Sequence, residues 1–160
     1  MGGFLLINTV FTNTLNNRID SAKKNNNYIT TALSVYADNS KPTYGNWEYL
    51  RTSAIGFAKQ IAGNSDSKSK IGSINELSFS AEDEFAHGMS VNSRKSRIVT
   101  ENKKYYIQTI SKIQLVTASC YIETVDDITS VYSDRDMYCT IYQFILIGVC
   151  LLYTSDAADE

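Results

Sequence analysis

The feature that most constrains the fold of this chain is a pair of apolar runs, one near each end of the 160 residues. Residues 1–11 form the first run and residues 141–149 the second. Each is about half as long as the roughly 20 residues that cross a bilayer as a helix. No basic residue precedes the first run, which argues against a signal peptide. We interpret the runs as parts of two transmembrane helices, and a soluble protein with two apolar ends is the alternative.

The end of the chain, residues 150–160, is predicted to lie outside the fold. It resembles one reading frame of the transposase adapter that is ligated to short-read sequencing libraries, through all of CLLYTSDAADE. Segments of this kind are set aside before a fold is inferred. We therefore expect the biological sequence to be cut at Val149, so that this chain is a truncated fragment. A natural acidic tail after a membrane helix is the alternative.

Between the apolar runs lies a polar segment with the composition of a globular domain. Over the whole chain 43% of the residues are hydrophobic and 20% are charged, with 8 Gly and a single Pro. These values exclude a disordered or a fibrous chain. The formal net charge of −2 gives no reason to expect a polyanion, so no nucleic acid partner is predicted. Three Cys are too few for a disulfide scaffold.

The first helix is predicted to continue from the apolar run to about Tyr36, because apolar or small residues recur every three or four positions. Those positions are Leu15, Ile19, Ala22, Ile29, Leu33 and Tyr36, with Asn26 in the one gap. An Asn at a seam position fixes the register of a helix pair. A helix that packs on its own domain fits the same spacing equally well.

A second helix follows in the prediction. Its apolar stripe consists of Trp47, Leu50, Ala54, Phe57 and Ile61. Thr43 or Asn46 is expected to cap its start and Gly63 to end it. Residues 64–70, which are mainly Ser and Lys, are predicted to form a solvated loop.

From Ile71 onward, β-branched and aromatic residues predict strands. The strongest segments are residues 96–100, 105–116 and 119–125. Short connections at residues 101–103 and 117–118 make these strands antiparallel neighbours. A last helix is predicted to begin at Asp126 or Asp127, whose carboxylate suits an N-cap, and to continue into the second apolar run. The predicted fold class is α+β, a small antiparallel sheet with flanking helices between two truncated transmembrane helices.

Several stretches of the second half occur in a recognisable order before the last helix. They are Tyr105-Tyr106-Ile107-Gln108, Ile113-Gln114-Leu115, Tyr121-Ile122-Glu123-Thr124-Val125 and Asp134-Arg135-Asp136. In this order they resemble the extracytoplasmic sensor region of membrane-bound sensor histidine kinases from low-GC Gram-positive bacteria. Residues 2–7 and 15–20 are similar to the outer half of the first membrane helix in that family. The chain departs from the family pattern at Asp126, where a basic residue is more common, and at residues 116–118, where a Gly-containing turn is usual.

The resemblance implies a domain plan and a localisation in the cell membrane. Residues 1–11 are a partial first transmembrane helix, residues 12–136 an extracytoplasmic sensor domain similar to PAS-like or Cache-like sensors, and residues 137–149 the start of the second transmembrane helix. Residues 150–160 are the adapter-derived artefact. The implied partners are the membrane, a second copy that forms a homodimer through the membrane-proximal helices, and an unknown extracellular ligand. A response regulator is reached only through cytoplasmic domains absent from this sequence.

The function implied by the resemblance is signal input for a two-component sensor histidine kinase, passed through the second transmembrane helix. The residues assigned to the signal-transmission helix are Asp127, Ile128, Val131 and Arg135. The input domain of a chemoreceptor, or of another non-kinase membrane receptor, is the first alternative. A membrane-anchored surface binding protein is the second.

The residues themselves indicate no catalytic group, no cofactor and no metal site, so this fragment is not expected to be an enzyme. The only His, His87, precedes Gly88 and Met89 and lacks the acidic and basic neighbours of a phospho-accepting His, so we interpret it as a loop residue. The three adjacent acids at residues 82–84 are interpreted as solvated, with a site for a hard cation as the alternative.

A small basic patch is the sequence's one indication of a ligand site. Arg94 and Arg97 lie close together, and Tyr105 follows the nearby Lys103-Lys104 pair. Outside a cell such a patch suits an anionic ligand, and we take Arg94, Arg97 and Tyr105 as its candidate residues. The patch is too small for nucleic acid. A solvated strand end is the alternative.

Overall fold

A computed structural model describes residues 2–40, 47–62, 67–79, 85–114 and 119–156 of the chain. Its elements are helices and a small antiparallel sheet, so the α+β class predicted from the sequence is confirmed. The chain divides into two compact units. The larger is Arg18–Asp127, and the smaller combines Met1–Asn17 with Ile128–Glu160.

Helix α1 covers Gly2–Ser40 and confirms the predicted continuation of the first apolar run into a long helix. In the larger unit its buried face includes Ala22, Asn26, Ile29 and Leu33, which follow one another at spacings of four, three and four residues. Ile29 and Leu33 belong to a core cluster of the same chain. The structure therefore favours the second interpretation of this spacing, a helix packed on its own domain.

Helix α2 covers Trp47–Ala62, close to the predicted bounds. Leu50 and Ala54 are fully buried in the same cluster as Ile29 and Leu33. The amphipathic stripe thus faces the core at these positions, as predicted. Several predicted features lie outside the described residues or side chains: the caps Thr43, Asn46 and Gly63, and the apolar side chains of Tyr36 and Ile61.

Four strands form one antiparallel sheet in the order β1-β4-β3-β2. The strands are β1 (Lys68–Gly72), β2 (Ser93–Glu101), β3 (Lys104–Gln114) and β4 (Ser119–Asp127). The three segments predicted as the strongest strands correspond to β2, β3 and β4. The two central strands, β3 and β4, are those with the longest buried stretches.

Strand β1 corrects the prediction of a solvated loop at residues 64–70. Lys68, Ser69 and Lys70 pair with β4, and Ser67 before them is buried. The strand occupies a sheet edge, and its Ser and Lys side chains have little strand propensity of their own. Its extended conformation comes from hydrogen bonds to a strand far along the chain, which a local pattern does not reveal. Residues 64–66 lie outside the described part of the chain.

The connection between β2 and β3 confirms the predicted antiparallel hairpin. Glu101 pairs with Lys104, which leaves two residues in the turn. Both turn residues have positive φ, 51° at Asn102 and 61° at Lys103. This is the conformation of a type I′ turn, which matches the twist of the strands it joins. The other predicted connection, at residues 117–118, is not among the described residues.

Helix α3 covers Thr129–Asp156 and contains the second apolar run. The prediction that Asp126 or Asp127 caps this helix is wrong, because both residues belong to β4 and pair with β3. The strand ladder holds them in an extended conformation to its last position. The junction is therefore the single residue Ile128, which is 1% exposed.

In the smaller unit, ring contacts join the first part of α1 to α3. The ring centroids of Phe4 and Tyr142 are 4.8 Å apart, and those of Phe11 and Tyr132 are 5.1 Å apart. Because a later position in α1 meets an earlier one in α3, the two helices run antiparallel. Within the described residues, the segment Thr129–Tyr153 is the one helix that is long and apolar enough to cross a membrane.

The predicted artefact at residues 150–160 begins as a continuation of α3. Leu151, Leu152 and Tyr153 are exposed by 64%, 72% and 80%. Residues 157–160 lie outside the described part of the chain. The origin of this segment stays a prediction.

Candidate functional site

Both faces of the two central strands are buried, because each is covered by a different part of the larger unit. On one face, Ile113 and Ile122 pack with residues of α1 and α2. On the other face, Ile110 packs with Leu77 and Met89 from the segment that connects β1 to β2. Polar side chains on these strands are therefore cut off from water and need partners inside the protein.

The helix-covered face holds a polar clamp centred on Asn26, which is fully buried. Its Nδ2 donates to the main-chain carbonyl oxygens of Thr109, at 3.2 Å, and Ile122, at 3.1 Å. Its Oδ1 accepts hydrogen bonds from Arg94 Nε, at 3.2 Å, and from the Ser111 hydroxyl. One amide thus ties α1 to both central strands.

Arg94, a predicted ligand residue, extends this clamp to the edge strand β2. Its Nε also donates to Ser111 Oγ at 3.0 Å, and its Nη2 donates to Asn27 Oδ1 at 2.7 Å. Burial lowers the pKa of the Arg94 guanidinium, which nevertheless stays charged at neutral pH. These donors are directed at the protein's own groups, which gives Arg94 a structural role.

The opposite face holds a chain of hydrogen bonds that crosses three neighbouring strands. Arg97 Nε on β2 donates to Gln108 Oε1 on β3 at 2.7 Å. Gln108 Nε2 donates to Glu123 Oε1 on β4 at 2.6 Å. The other carboxylate oxygen of Glu123 accepts from the Ser78 main-chain N–H at 2.8 Å. Gln108 and Glu123 are both fully buried, so a buried carboxylate is connected to a guanidinium through one amide.

Arg97 also borders a cleft of about 470 Å³ at the edge of the sheet, lined by Ser78, Phe79 and residues 97–101. Its Nη2 donates to the Phe79 carbonyl oxygen at 3.1 Å, and its guanidinium carbon lies 4.4 Å from the ring centroid of Phe85. Tyr106 lies on the same face of β3 as Gln108, and its ring centroid is 5.7 Å from that of Phe79. Tyr105, the predicted ligand residue, is half-buried and lies on the other face of β3. The cleft has the chemistry to bind a small polar molecule beside a fixed positive charge.

The structure separates the two arginines that the sequence grouped as one patch. Arg94 pairs with Ser111 and Arg97 with Gln108, and these partners lie on opposite faces of β3. Arg97 borders the cleft and Arg94 belongs to the clamp around Asn26, whereas Tyr105 lies on the same face of β3 as Ser111 and does not line the cleft. The three residues therefore do not form one site.

Gln108 and Glu123 are the site residues that sequence reasoning missed. They appeared only within stretches that carry the family resemblance. A signal was available, because each is a long polar residue that directly follows an Ile and precedes a Thr and a β-branched apolar residue within a predicted strand. Such a residue in a doubly covered strand needs a specific partner.

The remaining predicted residues fall into three groups. His87 is exposed in a turn, which confirms its interpretation as a loop residue. The acids at residues 82–84 lie outside the described residues, among which no cluster of metal-ligating side chains occurs. Of the transmission residues, Asp127 ends β4, Ile128 precedes α3, and Val131 and Arg135 lie in α3.

Arg135 is held by neighbours within the smaller unit. Its Nη2 forms an ion pair of 2.8 Å with Asp136 Oδ1. Its guanidinium carbon lies 4.8 Å from the ring centroid of Phe11 on α1. Arg135 therefore joins the first turns of α3 to α1 near Phe11.

No protein-family model, curated protein or solved structure matches this chain. The geometry of the larger unit and its connection to α3 are therefore the basis of the functional argument.

Proposed function

We propose that this chain is the signal-input region of a membrane-bound sensor histidine kinase, with residues 12–136 outside the cell. The observation that carries the proposal is the connection between β4 and α3. β4 is paired on both sides, and it ends at Asp127. The apolar helix α3 begins at Thr129, so one buried residue separates a central strand from a helix suited to a membrane.

A stiff connection of this kind supports signal transmission. α3 contains no Pro, and its only Gly is Gly148, near its far end. Bending a regular helix strains its main-chain hydrogen bonds. A displacement of β4 is therefore passed along α3 rather than absorbed. The predicted homodimer would bring two such helices together.

The hydrogen-bond chain beside the cleft supplies a route for the input. A ligand that competes for the Arg97 guanidinium weakens its hydrogen bond to Gln108, and Gln108 in turn holds Glu123 on β4. The cleft on the edge strand is thereby coupled to the strand that leads into α3. A small polar or anionic molecule is the class of ligand that fits this site.

The first test concerns location. His87→Cys, in a chain that also carries Cys139→Ser and Cys150→Ser, presents one exposed thiol, while the buried Cys120 remains as an internal control. We expect a membrane-impermeant maleimide to label this variant in intact cells. Labelling only after the cells are opened would place the domain in the cytoplasm and overturn the proposal.

The second test concerns the output. In DNA that contains this coding sequence, we expect the frame beyond Val149 to encode a linker and a His-containing dimerisation helix. A long heptad-repeat hairpin there would instead identify a chemoreceptor. A stop codon would identify a membrane-anchored surface protein.

A further inference from the structure

A second polar site lies near the end of β4, on the helix-covered face of the sheet. Three side-chain oxygens there are buried and have no hydrogen-bond partner among the described residues: Ser67 Oγ, Thr124 Oγ1 and Asp126 Oδ2. Ser67 is 6% exposed and Thr124 is fully buried. Unpartnered buried oxygens are rare in native proteins because each loses its bonds to water without replacement. Three of them on one face of the sheet leave unused hydrogen-bonding capacity at this site.

The register of the sheet brings these oxygens to one place. Thr124 and Asp126 are two positions apart on β4 and share a face. Ser67 directly precedes Lys68, which pairs with Val125, so Ser67 comes level with Asp126. The Ser67 hydroxyl lies close enough to the Asp126 carboxyl to favour its charged form, although the two groups do not reach hydrogen-bond geometry. The three oxygens therefore lie along the same stretch of this face and make up the polar site.

Three parts of the larger unit contribute groups around Asp126. β3 contributes Ile107 directly opposite, which is apolar and fully buried. The segment before β1 contributes the Ser67 hydroxyl. α1 contributes Arg18, the charged group that acts on Asp126 among the described residues. Burial raises the pKa of the Asp126 carboxyl, while Ser67 and Arg18 act in the opposite direction.

We propose that Asp126 is a proton-binding site. When a proton from solvent binds the carboxylate, the new O–H donates a hydrogen bond to the hydroxyl oxygen of Ser67 or Thr124. One proton thereby supplies partners to two of the three unpartnered oxygens and removes a buried charge. This inference goes beyond the proposed function and does not depend on it.

The position of Asp126 gives its protonation a structural consequence. It is the penultimate residue of β4, and α3 begins three residues later at Thr129. Proton binding therefore stabilises the end of the strand that continues into the apolar helix. The end of β4 is therefore expected to be more stable in mild acid than at neutral pH.

Thermal unfolding of the full chain in detergent micelles, followed by circular dichroism from pH 4 to 8 at constant ionic strength, tests the proposal. Asp126→Asn places a neutral hydrogen-bond donor at this polar site at every pH. Because the pKa is raised in the folded state, the stabilisation of wild type by the neutral carboxyl is present at low pH and lost as the pH rises. We expect the variant to melt about 3 °C above wild type at pH 8, with the gap closing toward pH 4.

The matched control is Asp20→Asn, which removes an exposed carboxylate of α1 that forms a surface ion pair with Lys23. Its difference from wild type is expected to stay within about 1 °C from pH 5 to 8, because surface pairs contribute little. A gap for Asp126→Asn that does not change with pH would overturn the proposal. So would an Asp126→Asn variant that melts below wild type at every pH.

Two further measurements cover the remaining outcomes. If Asp126→Asn does not fold, Arg18→Gln removes the charge that favours the ionised Asp126 carboxyl and is expected to deepen the loss of stability between pH 4 and 8. An unchanged pH dependence would contradict the proposal. Stabilisation at pH 7 by Na⁺ or Ca²⁺, but not by choline at the same ionic strength, would identify a metal cation as the ligand instead.

Discussion

At the scale of single residues, the side chain with the most structural consequence is Asn26. Its amide makes four hydrogen bonds, three that join α1 to the two central strands and one from Arg94 on the edge strand β2. A buried amide stabilises a fold only when its polar atoms are paired, and here all the observed pairs are to the domain itself. The gap in the apolar spacing of α1 is therefore a specific attachment point.

Asn26→Ala is expected to lower the free energy of unfolding by about 2–4 kcal/mol, because it leaves buried carbonyl oxygens and the Ser111 hydroxyl without their donor or acceptor. The measurement is urea unfolding of the full chain followed by circular dichroism. Asn27→Ala is the matched control, since that neighbour is exposed and its Oδ1 accepts one hydrogen bond, from Arg94, instead of holding the two central strands. A loss of less than 1 kcal/mol for Asn26→Ala, about one ordinary hydrogen bond, would contradict the clamp.

Cys120 is a thiol whose reactivity is set mainly by its burial. Loss of solvation raises the pKa of its thiol to about 12, although Arg51 acts in the opposite direction. The reactive thiolate is therefore scarce at pH 8. We expect Cys150, which is exposed, to react with a thiol reagent in the folded chain, and Cys120 to react only after denaturation. A chain with Cys150→Ser shows which part of the reaction comes from Cys150. Rapid modification of Cys120 without denaturant would show that the core cluster around Cys120 opens in the folded chain.

At the scale of elements, the β2–β3 hairpin carries a local strain that a substitution can relieve. Lys103 has a positive φ of 61°, a conformation that costs a side-chain-bearing residue about 1 kcal/mol and costs glycine little. Lys103→Gly creates the Asn-Gly pair preferred in this turn and is expected to stabilise the domain by about 0.5–1 kcal/mol. Lys104→Gly, one position into β3, is the control and is expected to destabilise. Equal losses for both variants in thermal unfolding would argue against the turn geometry.

The helix α3 offers a test of transmission at the same scale, resting on the proposed function. Deleting Ser133 turns everything after it by about 100° and shortens the helix by about 1.5 Å. In a receptor that joins this region to a histidine kinase, we expect the deletion to lock or scramble reporter output. Ser133→Ala is the control and is expected to be nearly silent, because Ser133 is exposed and Ala favours helix. Normal ligand-dependent output from the deletion, with surface expression verified, would exclude α3 as the transmitting element.

The elements predictable from the sequence are those with a strong local pattern. α1 and α2 follow from residues spaced by three and four, and β2 to β4 follow from runs of β-branched and aromatic residues. β1 was not predictable, because its conformation depends on pairing with β4 about 50 residues later. The role of Asp126 was missed for the same reason, since its carboxylate suits a helix cap until the pairing with β3 is known.

The candidate site was less predictable than the fold. Arg97 was found from its charge, whereas Tyr105 was predicted as its neighbour and lies on the other face of β3. Gln108 and Glu123 could be recognised as site residues only once both faces of the sheet were known to be covered. Arg94 and Arg97 are three positions apart on one strand, so the alternation of side chains sends them to opposite faces. Once the edge strand β2 is assigned, that separation follows from sequence spacing alone.

At the scale of the whole molecule, the sheet is expected to open from its edges inward. β3 and β4 are paired on both sides and buried on both faces, whereas β1 and β2 each have one free edge with respect to the described residues. In native-state hydrogen exchange, main-chain amides at the centre of β3 and β4 are therefore expected to exchange most slowly. Slower exchange along β2 than along β3 would mean that its free edge is covered in solution.

Those two free edges also bear on how the protein behaves at high concentration. An unpaired strand invites hydrogen bonding with the same strand of another molecule, which is the first step of aggregation. Here β1 carries Lys68 and Lys70, and β2 carries Arg94, Lys95 and Arg97. Like charges on approaching edges repel, and added salt weakens that repulsion. The chain is therefore expected to stay monodisperse at low ionic strength. Aggregation through its sheet edges is expected to begin as the ionic strength rises.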